Sequence, residues 1–122
     1  MVPPALRTWF VIHFVADLGF ALPLFFFPRE FLGMLGWTEV DPIASRLVAA
    51  ALVGIGMESL IGRNASRQSF STMLRLKMMW SATATLGIGW SIYQGAAPAA
   101  WLFLGIFAAF CGIWSWWRIQ LG

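Results

Sequence analysis

Four long apolar segments, separated by short polar connections, dominate the pattern along this chain. They cover residues 8–27, 43–62, 72–94 and 98–118, and each is close to the roughly 20 residues that cross a hydrocarbon core of about 30 Å. No alternation of apolar and polar residues indicates strands, and an open strand edge leaves backbone groups without partners in lipid. The pattern therefore predicts four transmembrane helices.

The connections indicate how these helices are joined. The segment from Pro28 to Gly36 begins with proline, carries Glu30 in its first turn and is otherwise largely apolar, which predicts a short helix at the membrane surface. Asp41 precedes Pro42 and is a suitable N-cap for the second span, while Gly95 is suited to end the third. Because short connections favour antiparallel neighbours, we expect one all-α domain, an integral membrane up-down-up-down four-helix bundle with an interfacial helix in its first outer loop.

The composition agrees with a membrane protein and narrows the chemistry. Hydrophobic residues make up 60% of the chain and charged residues 11%, against about 25% charged residues in an average soluble domain. The net charge is +3, but the basic residues flank apolar segments and form no stripe with interleaved aromatics, so nucleic acid is not an expected partner. Cys111 is the single cysteine, which excludes an internal disulfide and a clustered-cysteine zinc site.

The first apolar run also bears on processing and orientation. It is longer than the core of a secretory signal and lacks a convincing cleavage site after it, so we expect it to be retained as a helix. The positive-inside rule then predicts a protein of the plasma, or bacterial inner, membrane with both termini in the cytoplasm. The basic residues expected on the inner side are Arg7, Arg63, Arg67, Arg75, Lys77 and Arg118, and those on the outer side are Arg29 and Arg46.

Tryptophans lie near the expected ends of the spans. Aromatic side chains of this kind commonly anchor helices at the two membrane interfaces. We therefore expect an inner belt and an outer belt of anchoring rings. The inner belt comprises Trp9, Trp114, Trp116 and Trp117, and the outer belt comprises Trp37, Trp90, Tyr93 and Trp101.

Asp17 is the residue most difficult to explain by membrane anchoring. It lies near the middle of the first span, where an aspartate costs about 2.5 to 3.5 kcal/mol on insertion scales and usually faces a bundle interior, a partner or water. His13 is four residues earlier, so the two side chains share one helix face and can form a hydrogen bond. Asp17 is therefore a candidate functional group, either charged or held neutral and hydrogen-bonded.

Other polar residues could join this pair. Glu58, on the oppositely directed second span, is expected near the depth of His13, and Lys77 near the inner end of the third span. Lys77 is also explained by extending its ammonium group to the membrane surface, and Glu58 by pairing with a nearby cation. The candidate ligand-binding residues are Asp17, His13, Glu58, Lys77, Trp80 and Ser81.

The same inventory argues against an enzyme. One histidine cannot supply two axial haem ligands, and the chain has no HExxH sequence, phosphate-binding glycine loop or metal-binding cluster. A serine nucleophile would need His13 to reach a serine on another helix. Since no large extramembrane segment is present, we expect neither catalysis on a polar substrate nor a resident cofactor or metal.

The layout resembles that of the DoxX-like group of small four-helix membrane proteins. The shared features are a short basic N-terminus, a first span followed by a proline-bearing outer loop (Leu24 to Arg29), the sequence RLVAAALVGIG from Arg46 to Gly56, and a basic inner loop before two further spans. The group is functionally heterogeneous. The resemblance implies a bundle that binds an apolar ligand or serves as an accessory membrane protein, and it identifies no catalytic residues.

Three functions follow as hypotheses. The first is a non-enzymatic protein that binds a lipid or quinone-like molecule through Asp17, or an accessory subunit of a membrane complex, with membrane lipids and a homo- or hetero-oligomer as partners. The alternative is a proton-coupled transporter of cations or small molecules in which Asp17 exchanges protons. A purely structural subunit is the third. Replacing Asp17 by Asn should abolish proton coupling, preserve much of apolar binding and leave structural assembly intact.

Overall fold

The chain folds into five α-helices and one short 3-10 turn, as described for residues 1–122 by a computed structural model. The four long helices coincide with the four predicted apolar segments, and the fifth lies in the first connection. The helices are α1 (Pro4–Phe26), α2 (Pro28–Met34), α3 (Pro42–Ile61), α4 (Arg67–Tyr93) and α5 (Ala100–Leu121), with the 3-10 turn at Gly62–Asn64 after α3.

The helix starts differ from the predicted spans for local reasons. α1 begins four residues before the predicted span because Pro4 occupies its first turn, where a missing N–H has no consequence. α4 begins at Arg67 because the Ser66 hydroxyl caps it, accepting from the backbone N–H of Ser69 at 3.3 Å. α5 begins two residues later than predicted because Pro98 lies in the preceding turn. Two prolines and one serine cap, which hydropathy does not detect, therefore set these boundaries.

Two helix ends use glycine in the left-handed conformation. After α4, Gly95 has φ 93°, its N–H donates to the Ile92 carbonyl, and the next N–H donates to the Ser91 carbonyl. This is the Schellman arrangement, which satisfies carbonyls that the last helical turn leaves open. Gly36, with φ 101°, ends α2 in the same way. The prediction that Gly95 follows the end of the third span is confirmed.

The residues divide into two compact units, each built around a pair of long helices. The first, called here the N-terminal hairpin, comprises Met1–Ala65. Its α1 and α3 run antiparallel: Arg7 near the start of α1 donates to the Arg63 carbonyl at 2.7 Å, and Arg46 near the start of α3 donates to the Phe25 carbonyl at 2.9 Å. Each helix buries one stripe with steps of three and four residues, as expected for a helix face. The stripes are Leu6, Phe10, His13, Asp17, Ala21 and Leu24 on α1, and Ser45, Ala49, Leu52, Gly56 and Ser59 on α3.

The second unit, the C-terminal hairpin, comprises Ser66–Gly122. Its α4 and α5 are also antiparallel, because Arg67 at the start of α4 donates to the carbonyl of Leu121 at the end of α5. Buried residues are concentrated toward this end: on α4 the last fully buried residue is Ser81, and on α5 none lies between Ala100 and Trp114. The opposite end of the hairpin presents apolar side chains on its surface.

Three of the long helices, α1, α3 and α5, are both long enough and apolar enough to cross a membrane. α4 has 27 residues, which is ample length, but Arg67, Arg75 and Lys77 and several serines and threonines make it more polar. The structure thus agrees with a helical membrane-associated protein, and α4 is distinguished from the other long helices by its polarity.

The cap of α3 gives a test of this fold. Asp41 accepts from the backbone N–H of Ile43 at 2.9 Å and from that of Ala44 at 3.4 Å, which confirms the predicted N-cap. We expect Asp41→Ala to lower the free energy of unfolding by about 1 kcal/mol, since an exposed N-cap contributes about that amount. Unfolding in detergent micelles, followed by circular dichroism, measures this, and Asp41→Asn should remain close to wild type. Equal losses in both variants would show that the cap is not the cause.

Candidate functional site

The candidate site is centred on Asp17 and His13, on the buried face of α1. They are one helical turn apart, and Asp17 Oδ1 lies 3.3 Å from His13 Nε2. Both residues are buried, with 6% and 4% of their surfaces exposed. The i, i+4 spacing predicted this contact from the sequence, and the structure confirms that the two side chains meet.

Gly56 of α3 lies directly against Asp17. A Cβ atom built on Gly56 would lie 3.0 Å from the Cβ of Asp17 and 2.8 Å from a terminal methyl carbon of Leu18. Such distances are shorter than ordinary packing contacts, so only glycine allows the α3 backbone to approach α1 this closely. The hairpin therefore has its tightest described glycine contact at the level of the buried carboxyl group.

The second carboxyl oxygen of Asp17 has a different environment from the first. Oδ2 is buried, has no hydrogen-bond partner within the protein, and lies 3.5 Å from the position of a Cβ on Gly56. Buried polar atoms without a partner are uncommon, because desolvating them costs about 1 to 3 kcal/mol. Asp17 thus retains capacity to accept a hydrogen bond or, when protonated, to donate one.

The pair can also hold a proton. One proton shared by an imidazole and a carboxylate leaves the pair neutral overall, whether it resides on His13 or on Asp17. A neutral pair is far easier to place in an apolar hairpin than a lone carboxylate. The arrangement can therefore bind a polar group at Oδ2 or pass a proton, and both use the same two residues.

Glu58 does not join this pair. It lies two residues beyond Gly56 on α3, toward the level of His13 as expected, but its side chain is exposed. The inward position near that level is occupied by Ser59, which is 1% exposed and donates its hydroxyl to the Ile55 carbonyl at 2.9 Å. Ser59 therefore belongs to the buried stripe of α3, and Glu58, one residue earlier, lies outside it.

The remaining predicted residues lie on α4, in the C-terminal hairpin. Lys77 is 2% exposed, and its Nζ lies 4.8 Å from the ring centroid of Trp114 on α5, a cation–π distance. The expectation that Lys77 extends to the membrane surface is wrong for this structure, because its stem and ammonium are both buried. Trp114, expected in the inner aromatic belt, is instead fully buried beneath this cation.

Trp80 and Ser81 follow Lys77 on α4. The Ser81 hydroxyl is buried and donates to the Lys77 carbonyl at 2.7 Å, which satisfies it within its own helix. Trp80 is half-buried, packs edge-to-face on Phe107 at a centroid distance of 6.1 Å, and has an indole N–H without a partner within the protein. Their roles as ligand contacts stay predictions, as does that of Lys77.

Sequence reasoning missed three residues of these environments: Gly56, Ser59 and Trp114. Gly56 and Ser59 continue the α3 stripe from Ser45 in steps of four and three, a pattern visible in the sequence as small residues on one face. Trp114 had no such signal, because a tryptophan near the end of an apolar segment is equally expected at the interface.

Comparison of the chain with known protein families, with curated proteins and with solved structures gives no match in any of the three. The similarity to the DoxX-like group stays a prediction.

The close approach at Gly56 can be tested against Gly54, where an added Cβ meets nothing within 4 Å. Both substitutions to alanine bring the same gain in helix propensity, so their difference reports the contact with Asp17 and Leu18. We expect Gly56→Ala to be less stable than Gly54→Ala by about 1 to 3 kcal/mol, the usual effect of overpacking. Unfolding of both variants in micelles measures the difference, and equal stabilities would contradict the close contact.

Proposed function

We propose that this protein is a non-enzymatic integral membrane protein that binds an apolar molecule, lipid or quinone-like, with Asp17 as its polar contact. The observation that carries the proposal is Oδ2 of Asp17, a buried carboxyl oxygen without a partner in the protein. A few oriented polar groups within apolar surroundings are the usual composition of sites for such ligands. His13 supports the site by holding Oδ1 and fixing the carboxyl group.

The carboxyl group sets the chemistry of the ligand. An ionised or hydrogen-bonded carboxylate accepts from a hydroxyl or other donor, whereas a protonated one donates to a carbonyl. The ligand is therefore an apolar molecule that carries one such group on its apolar body. A Cβ atom built on Gly56 would lie 3.5 Å from Oδ2, so a ligand group that reaches this oxygen has to enter beside the close contact of α1 with α3.

The membrane arrangement belongs to the same proposal. We place the four long helices in one up-down-up-down bundle, with α2 at the outer surface and both termini in the cytoplasm of a bacterial-type cell. The basic residues of α4 and α5 lie at the end where the C-terminal hairpin begins and ends, which supports this orientation by the positive-inside rule. The exposed apolar side chains support contacts with lipids and with further subunits, as in an accessory protein of the DoxX-like type.

Proton-coupled transport is the second candidate, and the His13–Asp17 contact favours it. A proton held between Nε2 and Oδ1 can be released and taken up again if the pair reaches water on alternate sides of the membrane. An intramembrane acid and its partner are common elements of proton relays. Both candidates depend on Asp17, but only this one requires it to change protonation.

The binding proposal is tested by native mass spectrometry of the protein released gently from membranes. Wild type should retain a small apolar molecule of defined mass. Asp17→Leu, which removes the polar contact, should lower the retained fraction at least tenfold, as expected for a lost hydrogen bond worth about 1.4 kcal/mol. Asp17→Asn, which keeps one acceptor and one donor, should retain an intermediate fraction.

Asp41→Asn is the matched control for Asp17→Asn, because it makes the same change from aspartate to asparagine at an exposed helix cap. It should retain the molecule as wild type does. An unaltered retained fraction in a folded Asp17→Leu protein would contradict the proposal.

Proton flux into liposomes separates the two candidates. A transporter should lose substrate-dependent flux in Asp17→Asn and keep it in Asp41→Asn, since Asp17 and not Asp41 contacts His13. The binding proposal expects no substrate-dependent flux in either variant or in wild type. Substrate-dependent flux in wild type that disappears in Asp17→Asn would contradict the binding proposal and support proton-coupled transport.

A further inference from the structure

The two hairpins differ sharply in charge. All five acidic residues of the chain belong to the N-terminal hairpin, and the C-terminal hairpin contains no aspartate or glutamate. The C-terminal hairpin nevertheless carries half of the eight basic residues. These are Arg67, Arg75, Lys77 and Arg118.

The antiparallel pairing brings these cations to one end. Arg67 donates to the Leu121 carbonyl, and Lys77 lies over Trp114, so Arg118 falls at a depth between Arg67 and Lys77. No charged residue occurs between Lys77 and Arg118 along the chain. One end of the hairpin is thus uniformly basic, and the remainder is uncharged.

The arginines of this basic end are available at its surface. Arg67 and Arg75 are exposed and Arg118 is half-buried. Arg67 and Arg75 are eight residues apart, about 12 Å along α4. Trp116, 54% exposed, lies at the same end on α5.

We propose that this basic end, consisting of Arg67, Arg75 and Arg118 with Trp116, binds the headgroups of anionic phospholipids. Guanidinium groups match the geometry of a phosphate with paired hydrogen bonds. α5 is apolar enough to cross the membrane and ends within a few residues of Arg118, so the arginines lie where headgroups begin. An exposed tryptophan favours the same interfacial level.

The absence of acidic residues in this hairpin is what makes the surface selective. Each arginine of a mixed surface can be neutralised by a neighbouring acidic side chain, but this hairpin contains no aspartate or glutamate. Its charge is therefore available to lipid phosphates, and the attraction to a zwitterionic headgroup is weaker. This inference goes beyond ligand binding at Asp17 and does not depend on it.

Native mass spectrometry of the full chain tests this directly. The protein is equilibrated in micelles with equal amounts of phosphatidylglycerol and phosphatidylcholine, and the lipids it retains are counted. Wild type should retain phosphatidylglycerol preferentially. Each of Arg67→Gln, Arg75→Gln and Arg118→Gln should reduce that preference about fivefold, from the roughly 1 kcal/mol that a basic residue contributes at an anionic surface, and higher salt should reduce it further.

Arg29→Gln is the matched control, because Arg29 is an exposed arginine of the N-terminal hairpin. It should leave the lipid preference unchanged. Replacement of all three arginines by lysine, which keeps the charge but loses the paired hydrogen bonds to phosphate, should reduce the preference less than the glutamine variants do. Arg67→Gln loses the hydrogen bond to the Leu121 carbonyl. If that variant does not fold, the result for Arg75→Gln decides whether the basic end binds anionic lipid. Equal retention of the two lipids by wild type, or an equal effect of Arg29→Gln and Arg75→Gln, would overturn the proposal.

Discussion

The burial of a carboxyl group in an otherwise apolar helix pair is the constraint on which the N-terminal hairpin depends. Asp17 can occupy the middle of α1 because His13 lies against one oxygen and because the α3 backbone closes over it at Gly56. Any larger residue at that position would separate the helices at this depth. The contact between Gly56 and Asp17 therefore both accommodates the buried carboxyl group and fixes the register of α1 on α3.

The C-terminal hairpin buries its polar group in another way. Lys77 lies over the face of Trp114, where the ring quadrupole attracts the cation. The buried contacts are concentrated around this pair and toward Arg67. The opposite end, rich in exposed apolar residues, has the surface expected for contact with lipid tails. Each hairpin thus places its buried ionisable group beside a specific neighbouring side chain.

Much of the fold followed from the sequence because hydropathy and capping are local. The four long helices, the Asp41 cap, the glycine at the end of α4 and the His13–Asp17 contact all depend on residues close together in the chain. Which face of a helix turns inward depends on distant residues instead. Glu58 was placed at the right level but is exposed, since the small residues of α3 face α1. Lys77 and Trp114 are far apart in sequence, so their contact had no local signal.

Stability alone does not explain Asp17. Its insertion costs about 2.5 to 3.5 kcal/mol at mid-span, whereas a hydrogen bond to a neighbour such as His13 returns about 0.5 to 1.5 kcal/mol. An apolar residue of similar size at this position would avoid that cost and would still fit the stripe that includes Phe10 and Ala21. The carboxyl group therefore weakens the hairpin by the difference between these two terms, about 1 to 3 kcal/mol. A buried carboxyl group that destabilises its own helix pair is expected where the carboxyl group has a function. Oδ2, which has no hydrogen-bond partner in the protein, is the atom of Asp17 that is open to a ligand or a proton.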